Sequence, residues 1–347
     1  MKKLFLIANI VCIIFTSCKK NPTRPPESVT VTTFAGSGID GFADGNGIAS
    51  KFSGPRGIAN DAQGNIYVAD SHEPRIRKIT PAAVVTTLAG NGKFGYVDGS
   101  NSMAQFTDPN DVATDAQGNV YVAESNRIRK ITPLGEVSTL TGGGTRGYAD
   151  GDLSSAQFGS LQGITTDDQG NIYVTDLDLP NLGGRIRKIT PVGMVTTLAG
   201  NGIAGFADGN GSSAQFSNPL GIATDHQGNL FVADYGNRRV RKITPTGVVS
   251  TVAVIGSTAE LSGPIGVVVD AQGNIYVTES GIWSNDRIHK ITPSGATTKL
   301  TGSISGYADG NGSNALFKSP YGIAIDAQEN IYISDNSDNR IRKITIK

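Results

Sequence analysis

The chain has 347 residues, enough for one large domain or two smaller ones, with 30 basic and 30 acidic side chains and a formal net charge of zero. That balance leaves no electrostatic footprint for nucleic acid or an acidic membrane surface. The 2 cysteines, Cys12 and Cys18, lie close together near the N-terminus and supply no disulfide framework for the rest of the chain.

At the N-terminus, Lys2 and Lys3 precede an apolar run over residues 4–15. The run is too short to span a bilayer as a helix and has the length of a signal-peptide core. It ends in Phe15-Thr16-Ser17-Cys18, which resembles the lipobox of bacterial lipoproteins, with Phe15 where Leu is usual. The resemblance implies cleavage before Cys18 and lipidation of its thiol. Residues 1–17 therefore read as a lipoprotein signal peptide that carries Cys12 away, 18–27 as the lipidated Cys18 and a Pro-rich tether, and 28–347 as the folded domain. The expected location is the bacterial cell envelope, with the lipid as membrane anchor.

Beyond residue 30 the chain repeats itself. The Asn of a Gly-Asn-(Ile/Val/Leu)-(Tyr/Phe)-(Val/Ile) phrase recurs at Asn65, Asn119, Asn171, Asn229, Asn274 and, with Glu before it, at Asn330, a spacing of 45 to 58 residues. Each of the six units holds four short strand-like runs, in the first at 57–59, 65–69, 75–80 and 84–89, and no helical periodicity of useful length. Residues 61–65, Asp-Ala-Gln-Gly-Asn, predict a tight turn that uses the positive φ open to glycine. Glu329 replaces that Gly in the sixth unit, so a strained or reshaped turn is expected there. Four antiparallel strands per unit at this period describe blades of a six-bladed β-propeller, an all-β fold.

The phrase Pro-x-Gly-Ile-Ala-x-Asp-x-x-Gly-Asn-Ile-Tyr-Val-Ala-Asp followed by Arg-Ile is similar to the NHL repeat family, and the likeness spans residues 31–347. One strand is missing at the end: after Lys343-Ile344-Thr345 only two residues remain, where earlier units continue into a fourth strand. Its counterpart, "VTTFAG" at 31–36, lies at the opposite end, so the N-terminal strand is expected to complete the last blade and leave no free edge.

Strand parity puts the 1–2 and 3–4 turns on a lower face and the 2–3 loops and inter-blade crossovers on an upper face. The lower turns are short and alike; the upper 2–3 loops vary, which makes the upper face the candidate for recognition. Five crossovers carry Gly-aromatic-x-Asp-Gly and then a Phe, with Asp44, Asp98, Asp150, Asp208 and Asp309. Those aspartates could form calcium sites, but an Asx turn explains Asp before Gly without a metal. The aromatic and the Phe are expected to wedge between blades. Four crossovers also read Gly-x-Gly-x-x-Gly, yet no helix follows to face a pyrophosphate, so these are turn glycines. Asp70, Glu124, Asp176, Asp234, Glu279 and Asp335 end the second strands, and Arg75, Arg127, Arg185, Arg239, Arg287 and Arg340 open the third, predicting six local ion pairs that brace the 2–3 loops, worth about 1 kcal/mol or less each if exposed.

Propeller relatives implied by the resemblance include zinc lyases held by histidines and lactonases with a divalent metal. Here His72 falls above, His226 below and His289 on a third strand, so the histidines are not expected to share a metal. The inner strands hold nothing expected to titrate near neutrality. Asp111, where other blades have Gly, could join a lactonase-like calcium site, but reads as a solvated acid. The crossover after Val254 lacks the aromatic-Asp loop, and the same blade carries Trp283, the single tryptophan; Trp283 either fills the resulting notch or walls it with Tyr235. Together these features read as a monomeric, lipid-anchored module without cofactor or metal, not an enzyme and not a nucleic-acid binder. It would bind a protein, peptide or glycan on the upper face through Trp283, Tyr235, His72 and Asp111. The alternative is a calcium-dependent lactonase or lyase.

Overall fold

The computed structural model describes residues 28–254, 263–281 and 285–347. The leader, Cys18, the tether, residues 255–262 and Trp283 lie outside them. The described residues form six antiparallel sheets arranged as a β-propeller, with no helix beyond single 3-10 turns. In the first blade the strands run from the central channel outward as Pro55–Asn60, Ile66–Asp70, Arg75–Ile79 and Val84–Ala89. Four sheets add a fifth, two-residue strand not foreseen from the repeat. In the first blade this is Gly45–Asn46, which pairs with Val85 and Val84 on the outer edge. Each such crossover thus caps the outside of the blade it is about to enter.

The ring closes through the N-terminal strand. Val29–Ala35 pairs antiparallel with Arg340–Ile346, from Val29 opposite Ile346 to Ala35 opposite Ile341. Ser28 and Lys347 exchange both backbone bonds, at 2.9 and 3.0 Å. The two chain ends therefore share the outer half of one blade, and the last edge is paired.

The hairpins between first and second strands explain the repeated Asp-x-x-Gly-Asn. Asp61 Oδ1 accepts the backbone N–H groups of Gln63 (3.0 Å) and Asn65 (2.8 Å), while Oδ2 accepts the Tyr67 hydroxyl (2.9 Å). Gly64 takes φ +79°, and Glu329 takes φ +62° at the same place with the same turn bond to Asp326 O (2.9 Å). The turn is therefore strained, as a side chain in the left-handed region requires, but it is not reshaped.

The core is divided between the blades. Six apolar clusters each span two neighbouring sheets: Phe52, Ile58 and Val68, for example, meet Ala35, Ala324 and Tyr332 across one interface. Phe52, Phe106, Phe158, Phe216 and Phe317, one from each aromatic-Asp crossover, are fully buried wedges. The interface between the fourth and fifth blades has no such Phe; Phe231, Val267 and Ile275 fill its core instead.

Candidate functional site

The upper face is built on five buried arginines. Arg77 Nη1 donates to Asp70 Oδ2 (3.1 Å) and to the Lys51 carbonyl (2.9 Å); Nη2 donates to the Ala43 carbonyl (3.0 Å) and Asp44 Oδ1 (2.8 Å). Arg129, Arg187, Arg241 and Arg342 repeat the arrangement with Glu124 and Asp98, Asp176 and Asp150, Asp234 and Asp208, and Asp335 and Asp309. These guanidiniums and the second-strand carboxylates have no exposed surface. The expected pairing was off by one arginine, and the pairs that form are buried. The two arginines of Arg-Ile-Arg share one face of the strand, and the second lies farther from the 2–3 loop, beneath the crossover, where Arg77 is fully buried. The crossover aspartates are not Asx turns. Each reaches across to the buried arginine and to an outer-strand Thr, as Asp44 does to the backbone N–H of Thr87 (3.3 Å).

The first Arg of the phrase lies flat on the crossover aromatic instead. Arg75 stands 3.9 Å from the Phe42 ring centroid, Arg127 3.7 Å from Tyr96, and Arg340 3.8 Å from Tyr307. These rings are therefore half-exposed lids over the arginines and not the wedges expected.

The fifth blade departs from the pattern. It lacks the aromatic-Asp crossover and has His289 where the others have the buried Arg; His289 Nε2 meets Glu279 Oε2 at 2.6 Å. Removing the second carboxylate removes the reason for a guanidinium with two acidic partners, so the two changes belong together.

Inside this frame, one position varies where its surroundings repeat: the residue after the first Pro of each inner strand, or after Leu161 in the third blade, at the upper mouth of the channel. Around the ring it is Arg56, Asn110, Gln162, Leu220, Ile265 and Tyr321. A β-bulge at this point in all six blades turns the residue away from the ladder. The adjoining glycines are needed for the close approach of neighbouring strands: a Cβ on Gly163, Gly221, Gly266 or Gly322 would stand 2.5 or 2.6 Å from the next blade's carbonyl oxygen. Hydroxyls fix the spacing. Thr175 Oγ1 accepts from Gly163 N and donates to Leu220 O, and Thr278 Oγ1 does the same between Gly266 N and Tyr321 O, all at 2.7 Å.

The mouth is polar on one side and apolar on the other. Arg56 donates to Asn110 Oδ1, and Asn110 Nδ2 donates to Leu161 O (2.8 Å). Gln162 Nε2 donates to Ser160 Oγ (3.1 Å). Asp111 takes the place of a glycine; its Oδ2 accepts Ile164 N (3.0 Å) from the next blade and its Oδ1 accepts Val112 N (2.9 Å). Asp111 is not the solvated acid expected. Loss of hydration pushes its carboxyl up to about 7, against the pull of these two backbone donors. The inner strands therefore do hold a group that titrates near neutrality. Burial likewise raises the Tyr321 phenol, with the Arg56 charge opposing and the Asp111 charge adding to the shift. Leu220 and Ile265 complete the ring, and the channel below holds about 180 Å3 of space.

Of the described residues expected to bind, only Asp111 reaches this mouth, and Trp283 lies outside them. His72 is exposed in the first blade's 2–3 loop, its ring close over Gly54. Tyr235 opens a 3-10 turn in the fourth blade and packs against Gly263. The long loop of the third blade is pinned: its strands extend to Asp178 and from Gly183, and Leu182 O accepts Asn218 N (2.7 Å) from the next crossover. His226 is exposed on the lower face, 3.5 Å from Asp168. Among the described residues no three His, Cys, Asp or Glu side chains converge as metal ligands. Arg56, Gln162 and Tyr321 were missed; the available signal was variation between repeats at one position of a fixed frame.

Residues 216–243 match the NHL repeat. Over 288 aligned residues, 61% of this chain, 29% are identical to Protein SUPPRESSOR OF QUENCHING 1, chloroplastic, of Arabidopsis thaliana, and the match spans 27% of that protein. An auxiliary nutrient binding protein from Bacteroides thetaiotaomicron superposes with a TM-score of 0.68 at 17% identity, covering 92% of this chain and 77% of that one. A gluconolactonase from Xanthomonas campestris superposes at 0.60 with 14% identity, covering 92% and 90%. At these identities the structural likeness is one of fold.

Proposed function

We propose that this protein is a lipid-anchored binding module of the bacterial cell envelope, taking a protein, peptide or glycan on the upper face of its propeller. The observation that carries the reading is the channel mouth. Five blades repeat the same buried scaffold, and at the mouth the six blades present six different side chains, four of them polar. Sites of recognition are placed where a rigid frame displays variable groups. A fold neighbour described as an auxiliary nutrient binding protein is in keeping with it. The anchor follows from Phe15-Thr16-Ser17-Cys18 and the Pro-rich tether.

The test is a glycan, peptide and envelope-protein array probed with the full-length protein; the reading requires saturable binding to at least one class. The competing reading, a calcium-dependent lactonase or lyase, is tested by calorimetric titration with Ca2+ and Zn2+. One micromolar site for either ion would replace the binding module with the enzyme.

A further inference from the structure

We infer that the upper channel mouth is a subsite for a single neutral sugar residue, gripped by Arg56, Asp111, Gln162 and Tyr321 on one side and packed against Leu220 and Ile265 on the other. The inference rests on the binding reading above and narrows it to one ligand class and one place.

Three features decide the class. The first is charge: Arg56 and Asp111 come from adjacent blades at the same mouth, and Asp111 Oδ1 lies so near Gly57, the residue after Arg56, that a Cβ there would stand 2.1 Å from it. The two charges act on the Tyr321 phenol with opposite sign, so the mouth carries no strong field of a single sign to select a free anion or cation. The second is the balance of donors and acceptors. Arg56 and Tyr321 donate; Asp111 and the Gln162 amide oxygen accept, the carboxylate having lone pairs beyond its two backbone bonds. Vicinal hydroxyls, each both donor and acceptor, match such a mixture, whereas a carboxylate or an ammonium uses only half of it. The third is the apolar arc, which with the Tyr321 ring offers a surface for the C–H face of a pyranose. The channel below, about 180 Å3, accommodates one residue and not a chain, so a longer glycan would enter end-on.

The test is calorimetry on the full-length protein with methyl hexosides of glucose, galactose and mannose, sodium glucuronate, and a capped neutral peptide. The expected result is saturable binding of at least one methyl hexoside, nearly independent of salt, and weakened about tenfold or more by Gln162→Ala and by Tyr321→Phe, each removing one hydrogen-bonding group. Thermal unfolding checks that both variants are folded. Hexoside binding unchanged in both variants would place the sugar elsewhere, overturning the subsite while leaving the binding module. Glucuronate binding more tightly than every neutral hexoside would overturn the class. Peptide binding without hexoside binding would do the same and keep the module. Absence of binding to any of these probes overturns the subsite, and the array then decides the module separately.

Discussion

Arg241 and Asp208 meet at 2.6 Å across the fourth blade, the arginine fully buried and the aspartate half-exposed, while the other arm of the same guanidinium holds buried Asp234 at 2.7 Å. The two carboxylates are not equivalent. Arg241→Met strands Asp234 without a counter-charge in the interior and is expected to cost about 3–5 kcal/mol. Asp208→Asn keeps an acceptor at a site water can reach and is expected to cost about 1 kcal/mol. Denaturant unfolding of both variants measures the difference, and equal losses would mean that burial is not what separates the two contacts.

The closing strand is expected to stabilise the whole ring and not one blade. Deleting residues 28–36 uncovers the length of Arg340–Ile346 and removes the backbone pair between Ser28 and Lys347. The truncated protein should lose cooperative unfolding or melt far below the parent. A melting temperature within a degree or two, against the ~2–4 °C that even 1 kcal/mol moves a domain of this size, would contradict closure by the N-terminus.

Glu329 should be an easy site to improve. Its φ of +62° is one that five sister turns give to glycine, and the turn keeps its bonds. Glu329→Gly is expected to raise stability by about 1 kcal/mol by removing left-handed strain, less the entropy that glycine gains in the unfolded chain. A loss of stability would show that the Glu side chain contributes more than its strain costs.

Asp111 predicts a pH dependence of definite sign. Its folded carboxyl sits at about 7, above its unfolded value, so the folded state holds the proton more tightly. The contribution is complete below about pH 4 and fades as pH rises towards 7, at up to about 1.4 kcal/mol per pH unit. Buried Asp70, Asp176 and Asp335 are also raised, so the difference between the parent and Asp111→Asn isolates this group. Asp111→Asn should gain on the parent as pH rises from 4 to 7, and a pH-independent difference would contradict the desolvated acid.

The repeat made most of the fold legible. Period, turn phrase and the displaced "VTTFAG" pointed to six blades and to the closing strand before any coordinates. The arginines were harder, because Arg75 and Arg77 share a strand face and look interchangeable in sequence; only the crossover packed over that face buries Arg77 and leaves Arg75 under Phe42. The pairing of His289 with the missing crossover was present as a coincidence of two irregularities in one unit. The mouth was obscured for another reason. A search for shared motifs passes over Arg56, Gln162 and Tyr321, since what marks them is failure to repeat, and the convergence of six such residues exists only once the ring is closed.

Ligand is proposed to enter at the upper mouth of the channel. Leu220→Trp tests it most directly, since the half-buried Leu220 lines the mouth and a larger ring there narrows it without removing any hydrogen-bonding group. Binding of whichever ligand the array identifies should be measured by calorimetry beside the melting temperature. Affinity should fall by about tenfold or more at near-parental stability; parental affinity in a folded Leu220→Trp protein would contradict entry at the mouth.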